Sequence, residues 1–257
     1  MARLKTLLTG TAIIVCVFCF NAHASGVSDL KSDFIRANDL YKDSQYAQAI
    51  VIYEAILKSG YASGNLYYNL GNCYFKKNEL GRAMLNYERA LVFIPGDSDL
   101  RSNYDYLRST LNLGAKDSAG GRGALWLDRI SQAFTIDGLT LFLALLFWII
   151  FFGIAVAMFY PRFRMVLKPW LIGLGVLFLC GGGILFRNID QFNQAAIVVS
   201  KEAEVKFEPA QSATTYFKLT EGEKLQVLEL SGGWLKIKRL DGKIGWMADA
   251  ALERVNQ

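Results

Sequence analysis

The chain has 257 residues, of which 53% are hydrophobic, 13% aromatic and 20% charged, and its formal charge is +5. It is long enough for two small domains and too apolar for an ordinary soluble protein of that length, so the excess belongs to runs. Segments 25–115, 116–137 and 191–257 each balance to zero; the surplus sits at Arg3 and Lys5 and at Arg162, Arg164 and Lys168, which excludes a basic domain for nucleic acid.

The first apolar run, 7–20, follows Arg3 and Lys5 and ends in Ala22-His23-Ala24. This is the charged region, short apolar core and small-x-small site of a secretory signal peptide over 1–24. Cys16 and Cys19 leave with it, and so does His23, the only histidine. Without an imidazole, Ser-His-Asp or Cys-His nucleophiles, His-ligated metals and a histidine base are excluded. No nucleophile or paired carboxylates stand out among the remaining residues, so we expect no catalytic, cofactor-binding or metal residues and a non-enzymatic protein. Cys73 and Cys180 fall in a helix and an apolar run, a poor basis for a disulfide.

Offsetting the exported segment by 34 residues aligns Ala37 with Gly71, Asn38 with Asn72, Lys42 with Lys76, Ala49 with Ala83 and Tyr53 with Tyr87. The second copy carries Tyr67, Leu70, Gly71, Tyr74, Ala83, Tyr87, Ala90 and Pro95 and resembles the tetratricopeptide repeat. An α-helical solenoid over 30–113 is expected: two repeats and a capping helix with Leu100, Tyr104, Leu107 and Leu111 on one face. The resemblance implies a peptide groove on the first helix of each pair, formed by Phe34, Asn38, Tyr41 and Lys42, then Tyr68, Asn72, Phe75 and Lys76.

Residues 114–137 begin with Gly114, Gly120, Gly121 and Gly123, a flexible linker, and continue through Trp126, Leu127, Ile130 and Phe134, the spacing of an interfacial helix. Two apolar runs follow, 138–160 and 169–186, each long enough for a transmembrane helix. Asp137 is placed to cap the first, and Pro169 suits the first turn of the second. The basic loop 161–168 between them lies on the cytoplasmic side by the positive-inside rule. An exported N-terminus and a cytoplasmic loop agree in placing both flanks outside a bacterial inner membrane. Gly173, Cys180 and Gly181 share one helical face and Gly175, Gly182 and Gly183 another, which favours packing within the hairpin.

From 194 to 256 the apolar period becomes two, with strand-like runs at 196–199, 204–206, 216–219, 225–230, 234–238 and 244–247. Asp241-Gly242 is a hairpin signal. With Gly233-Trp234 and Gly245-Trp246 in this order, the segment resembles a bacterial SH3 domain, an all-β barrel. Tyr216, Trp234 and Trp246 form its candidate ligand face. For Trp234 and Trp246, bracing of a small core is the favoured alternative.

The order of these parts resembles the BatE family of the Bat aerotolerance operon. That resemblance implies a two-span protein with periplasmic domains, working with von Willebrand A-domain membrane proteins and a MoxR-type ATPase in envelope stress. The expected role is a scaffold for protein interaction. A peptidoglycan-binding or wall-sensing protein is the competing reading.

Overall fold

The computed structural model describes residues 29–113 and 135–256. The signal peptide, the glycine-rich linker and the interfacial helix expected around Leu127 lie outside these residues.

The N-terminal unit is five helices: α1 over 29–42, α2 (Tyr46–Lys58), α3 (Gly64–Lys76), α4 (Leu80–Phe93) and α5 (Ser98–Thr110). In α2 the stripe Ala49, Ile50, Tyr53 and Ile56 is buried, and α3 buries Leu66, Leu70, Gly71, Cys73 and Tyr74. Ser63 and Asp97 cap α3 and α5 by accepting from the N–H groups of Leu66 and Leu100. A methyl group at Gly71 would meet the Tyr87 ring at 2.6 Å, so glycine there lets α4 close onto α3.

The 34-residue period extends one helix further than the sequence alone indicated. α1, α3 and α5 each end on a left-handed residue, Ser44 (φ 61), Asn78 (φ 61) and Asn112 (φ 55), spaced 34 apart. The next N–H closes back each time: Gln45 on Leu40 O at 2.8 Å, Glu79 on Tyr74 O at 3.0 Å and Leu113 on Arg108 O at 3.0 Å. α5 thus ends in the same way as α1 and α3, and it also packs on α4.

Two long apolar helices follow, α6 (Ile136–Phe159) and α7 (Arg164–Gln194), joined by the short 3-10 turn Pro161–Phe163. Both are long and apolar enough to cross a bilayer. A methyl at Gly153 would meet Leu171 and one at Gly181 would meet Leu143, so the two helices pack as an antiparallel hairpin. Gly173, Gly175, Gly182 and Gly183 have open space before them. Three details differ from expectation. Thr135, not Asp137, caps α6, its hydroxyl accepting from Gly138 N–H at 3.0 Å. Pro169 lies inside α7, because the basic loop is itself helical from Arg164. α7 also runs eight residues beyond Phe186 and passes into the first strand at Ala195 without a loop.

The C-terminal unit is a seven-stranded antiparallel sheet, β1 (Ala195–Val198), β2 (Glu202–Lys206), β3 (Thr215–Thr220), β4 (Lys224–Ser231), β5 (Trp234–Arg239), β6 (Ile244–Ala248) and β7 (Leu252–Arg254), in the order β3-β2-β6-β5-β4-β1-β7. Its core holds Val205, Leu219, Leu225, Leu235, Ile237 and Met247. β7, preceded by a 3-10 turn, is the strand missed in sequence; three residues are too few for a period of two to register.

β1 is buried on both faces. Ala196 and Val198 point into the barrel core, while Ala195 and Ile197 belong to the helices' cluster with Leu85, Leu100 and Leu107. The two folded units therefore share one core. Around it, Glu88 accepts from Lys224 Nζ at 2.7 Å, Arg89 donates to Val255 O at 3.1 Å and Arg254 O at 2.8 Å, and Gly81 N–H donates to Glu221 Oε1 at 2.7 Å. Gly81 sits so close to β1 that a methyl group would lie 2.7 Å from Val198 O.

Candidate interaction faces

Along β5 and β6 buried residues alternate with outward ones: Leu235 and Ile237 point inward between Trp234, Lys236 and Lys238, and Gly245 and Met247 flank Trp246. Trp234 and Trp246 therefore stand on the outer face, and the core is closed by aliphatic side chains without them. The expectation that they brace the core is corrected. The alternation Trp-Leu-Lys-Ile-Lys carries this register in the sequence, because residues two apart on a strand share one face.

Each indole has a lysine above it. Lys206 Nζ lies 5.7 Å from the centroid of Trp234, and Lys236 Nζ 5.6 Å from that of Trp246. Lys206 is the register partner of both Trp246 and Thr215, and its ammonium also donates to Gln211 O. It ties the β2–β3 loop to the tryptophans. Tyr216 occupies the bulge at this point and stacks on the exposed Phe207, ring centroids 4.3 Å apart. Phe207 belongs to this face and escaped the sequence reading because it follows the strand. Gly245 is required by the crossing of β6 and β2, where a methyl group would meet Val205 at 2.5 Å and Lys206 O at 3.0 Å. In the β5–β6 hairpin, the Arg239 guanidinium bonded to Asp241 holds that carboxyl down at about 2.

Residues 201–253 match the bacterial SH3 domain family. The match runs from the start of β2 into β7 and leaves β1, the strand joined to α7, outside it. No curated protein matches the chain. The three residues expected on the SH3 ligand face, Tyr216, Trp234 and Trp246, fall around Lys206.

The eight expected groove residues lie on α1 and α3, whereas the SH3 domain packs against α4. Asn38 accepts from Tyr53 Oη at 2.5 Å and from Asn69 Nδ2 at 2.9 Å. One period on, Asn72 accepts from Tyr87 Oη at 2.7 Å and from Asn103 Nδ2 at 3.1 Å. Both asparagine oxygens thus bind buried tyrosines within the unit, and Asn69 and Asn103, again 34 apart, extend the ladder. Burial pushes the Tyr53 and Tyr87 hydroxyls above their ordinary pKa, so both act as neutral donors. Tyr68 accepts from Asn103 Nδ2 at 2.9 Å. Phe34 packs on Tyr53, Tyr41 on Tyr46 and Phe75 on Tyr106, with centroids 5.4–5.9 Å apart. Lys42 is paired with Asp39 at 2.9 Å, and Lys76 is exposed. Among the described residues no group of His, Cys, Asp and Glu is placed to hold a metal ion.

Proposed function

We propose that this chain is a non-enzymatic scaffold of a bacterial inner membrane. The hairpin crosses the bilayer with Arg162, Arg164 and Lys168 inside. The helical unit, read as tetratricopeptide-like repeats, and the SH3 domain stand together in the periplasm and engage partner proteins. The observation that carries this reading is the core shared by Ala195, Ile197 and Val255 with the helices, at one end of an antiparallel hairpin. A bilayer cannot pass between surfaces that share a core, so both flanks belong to one side. The repeat period and the resemblance to BatE support a place in a Bat-type complex with von Willebrand A-domain proteins and a MoxR-type ATPase. Co-purification of the full chain in mild detergent tests this: retention of such membrane proteins is expected, and their absence under conditions that preserve related complexes overturns it. Cleavage of both flanks by protease added to spheroplasts is expected as well; protection of either overturns the topology.

A second reading, peptidoglycan binding by the SH3 domain, is favoured by the outward Trp234 and Trp246. It predicts that the full chain is retained on purified peptidoglycan and that Trp246→Ala abolishes retention.

A further inference from the structure

One row of side chains crosses three strands on the outer face of the SH3 domain. Lys206 on β2 is the register partner of Trp246 on β6, and Trp246 is that of Lys236 on β5. Residues directly opposite in antiparallel strands share a face, so an indole stands between two lysines. Trp234, two residues before Lys236, carries the ammonium of Lys206, and the exposed Lys238 continues the same side of β5.

Lys206 is the unusual member. Only 9% of it is exposed, and among the described residues it forms no ion pair. Gln211 O takes one of its protons and the indole of Trp234 faces the charge, but neither neutralises it. A lysine withdrawn from water costs stability unless an anion is supplied. Gln211 is itself exposed, so the ammonium lies one residue beneath solvent. The acids of this face are placed elsewhere: Glu204 accepts from the Thr215 hydroxyl at 3.0 Å, and Glu202 pairs with Lys218 at 3.8 Å. Glu229 approaches Lys236 at 3.8 Å, longer than a hydrogen bond, with both side chains partly open to water. A surface pair of that kind contributes little and yields to a competing carboxylate.

We propose that this row binds an extended acidic segment of a partner protein. Lys206 and Lys236 take two carboxylates, and the apolar residues between them lie on Trp246. Two strand spacings separate the lysine backbones by about 10 Å, the span of acidic residues three places apart in an extended chain. The stacked pair of Phe207 and Tyr216, both exposed, borders the row at Lys206 and adds apolar contact. The inference deepens the scaffold reading by giving its SH3 face a ligand of stated charge, and it rests on that reading for the source of the peptide.

The test uses the full chain in detergent and two synthetic peptides, one with two glutamates three places apart and leucines between them, the other with lysines for the glutamates. The glutamate peptide is expected to bind, more weakly as salt rises, and the lysine peptide is not. Lys206→Met should weaken binding roughly tenfold while the melting temperature holds or rises, because a charge without an anion is removed. A role confined to pinning the β2–β3 loop would give the reverse, a lower melting temperature with binding intact, and that result overturns the proposal. Lys236→Glu, at the more exposed end of the row, should reverse the preference between the peptides and decides the matter should Lys206→Met unfold the domain. Equal binding of both peptides, or binding of neither, overturns the proposal. So does binding of solubilised peptidoglycan fragments where the glutamate peptide is not held, which assigns the face to the wall. Partner proteins that still co-purify would leave the scaffold reading standing in each of these cases.

Discussion

Glu88 on α4 and Lys224 on β4 meet at 2.7 Å across the seam of the two folded units, 136 residues apart in sequence. Glu88 is almost fully buried and also accepts from Tyr104 Oη at 2.6 Å. Burial alone would raise its pKa, but Lys224, the Tyr104 hydroxyl and Arg108 outweigh it and hold the carboxyl below the usual glutamate value. A carboxyl so depressed adds stability above its unfolded pKa, near 4.3 by rough reference, and loses it as pH falls through the folded value. Lys224→Met removes the first of these partners. It should cost about 1–3 kcal/mol at pH 7 and much less near pH 4, where Glu88 takes up a proton instead. Melting curves of both proteins across that range check this; a pH-independent difference would refute the assignment.

Gly81→Ala places a methyl group against the backbone of Val198 and Val199, which cannot move aside as a side chain can. The seam should loosen by about 1–3 kcal/mol while each unit keeps its own hydrogen bonds. Hydrogen exchange is the suitable probe. Amides of Ala195 to Val198 should lose protection, and those of α3 should not.

Asn72→Ala strands the Tyr87 hydroxyl, whose side chain is almost fully buried. A loss of about 1–3 kcal/mol is expected. Tyr87→Phe in the same molecule removes the stranded group, so the double variant should lose less than the two single losses added together. Strict additivity in denaturant titrations would mean that the bond contributes nothing.

In the SH3 domain the outward tryptophans and the inward aliphatics should separate by stability. Leu235→Ala and Met247→Ala are expected to cost about 2–5 kcal/mol, whereas Trp234→Ala and Trp246→Ala cost about 1 kcal/mol or less. Gly245→Ala belongs with the first group because β2 lies against it. If Trp246→Ala melts as low as Leu235→Ala, the outer-face assignment is wrong.

Cys73 is buried in α3, and burial pushes its thiol up to about 12. The folded protein should resist iodoacetamide at pH 8 at this position and react once denaturant is added. Peptide mapping by mass spectrometry reads the difference directly.

The parts of the fold that a local period encodes were legible in sequence: the 34-residue offset, the two apolar runs and six of the seven strands. The barrel family followed from Gly-Trp pairs at hairpin spacing, and the family match bears that out. What escaped depended on contacts between distant residues. No local pattern announces that Ala195 and Ile197 are covered by helices when Ala196 and Val198 are covered by strands. The third left-handed cap was in view as Asn112, 34 after Asn78, yet an asparagine acquires that meaning only once the turn is seen. Asn38 and Asn72 read as ligand-facing amides, and their bonds to Tyr53 and Tyr87 arise only when the second helix of each pair folds back.

Ala195 both closes α7 and begins β1, which leaves no residue to act as a swivel. At about 1.5 Å per residue the 31-residue helix measures about 46 Å, well over a hydrocarbon thickness of about 30 Å, so its last turns stand clear of any bilayer it crosses. For any bilayer that α7 crosses, its helical phase there is then the compass bearing of everything beyond. One residue inserted between Arg187 and Asn188 would swing Trp234, Trp246 and the helices together through about 100° around the α7 axis. The direction in which the two folded units face is set by a count of residues in one helix.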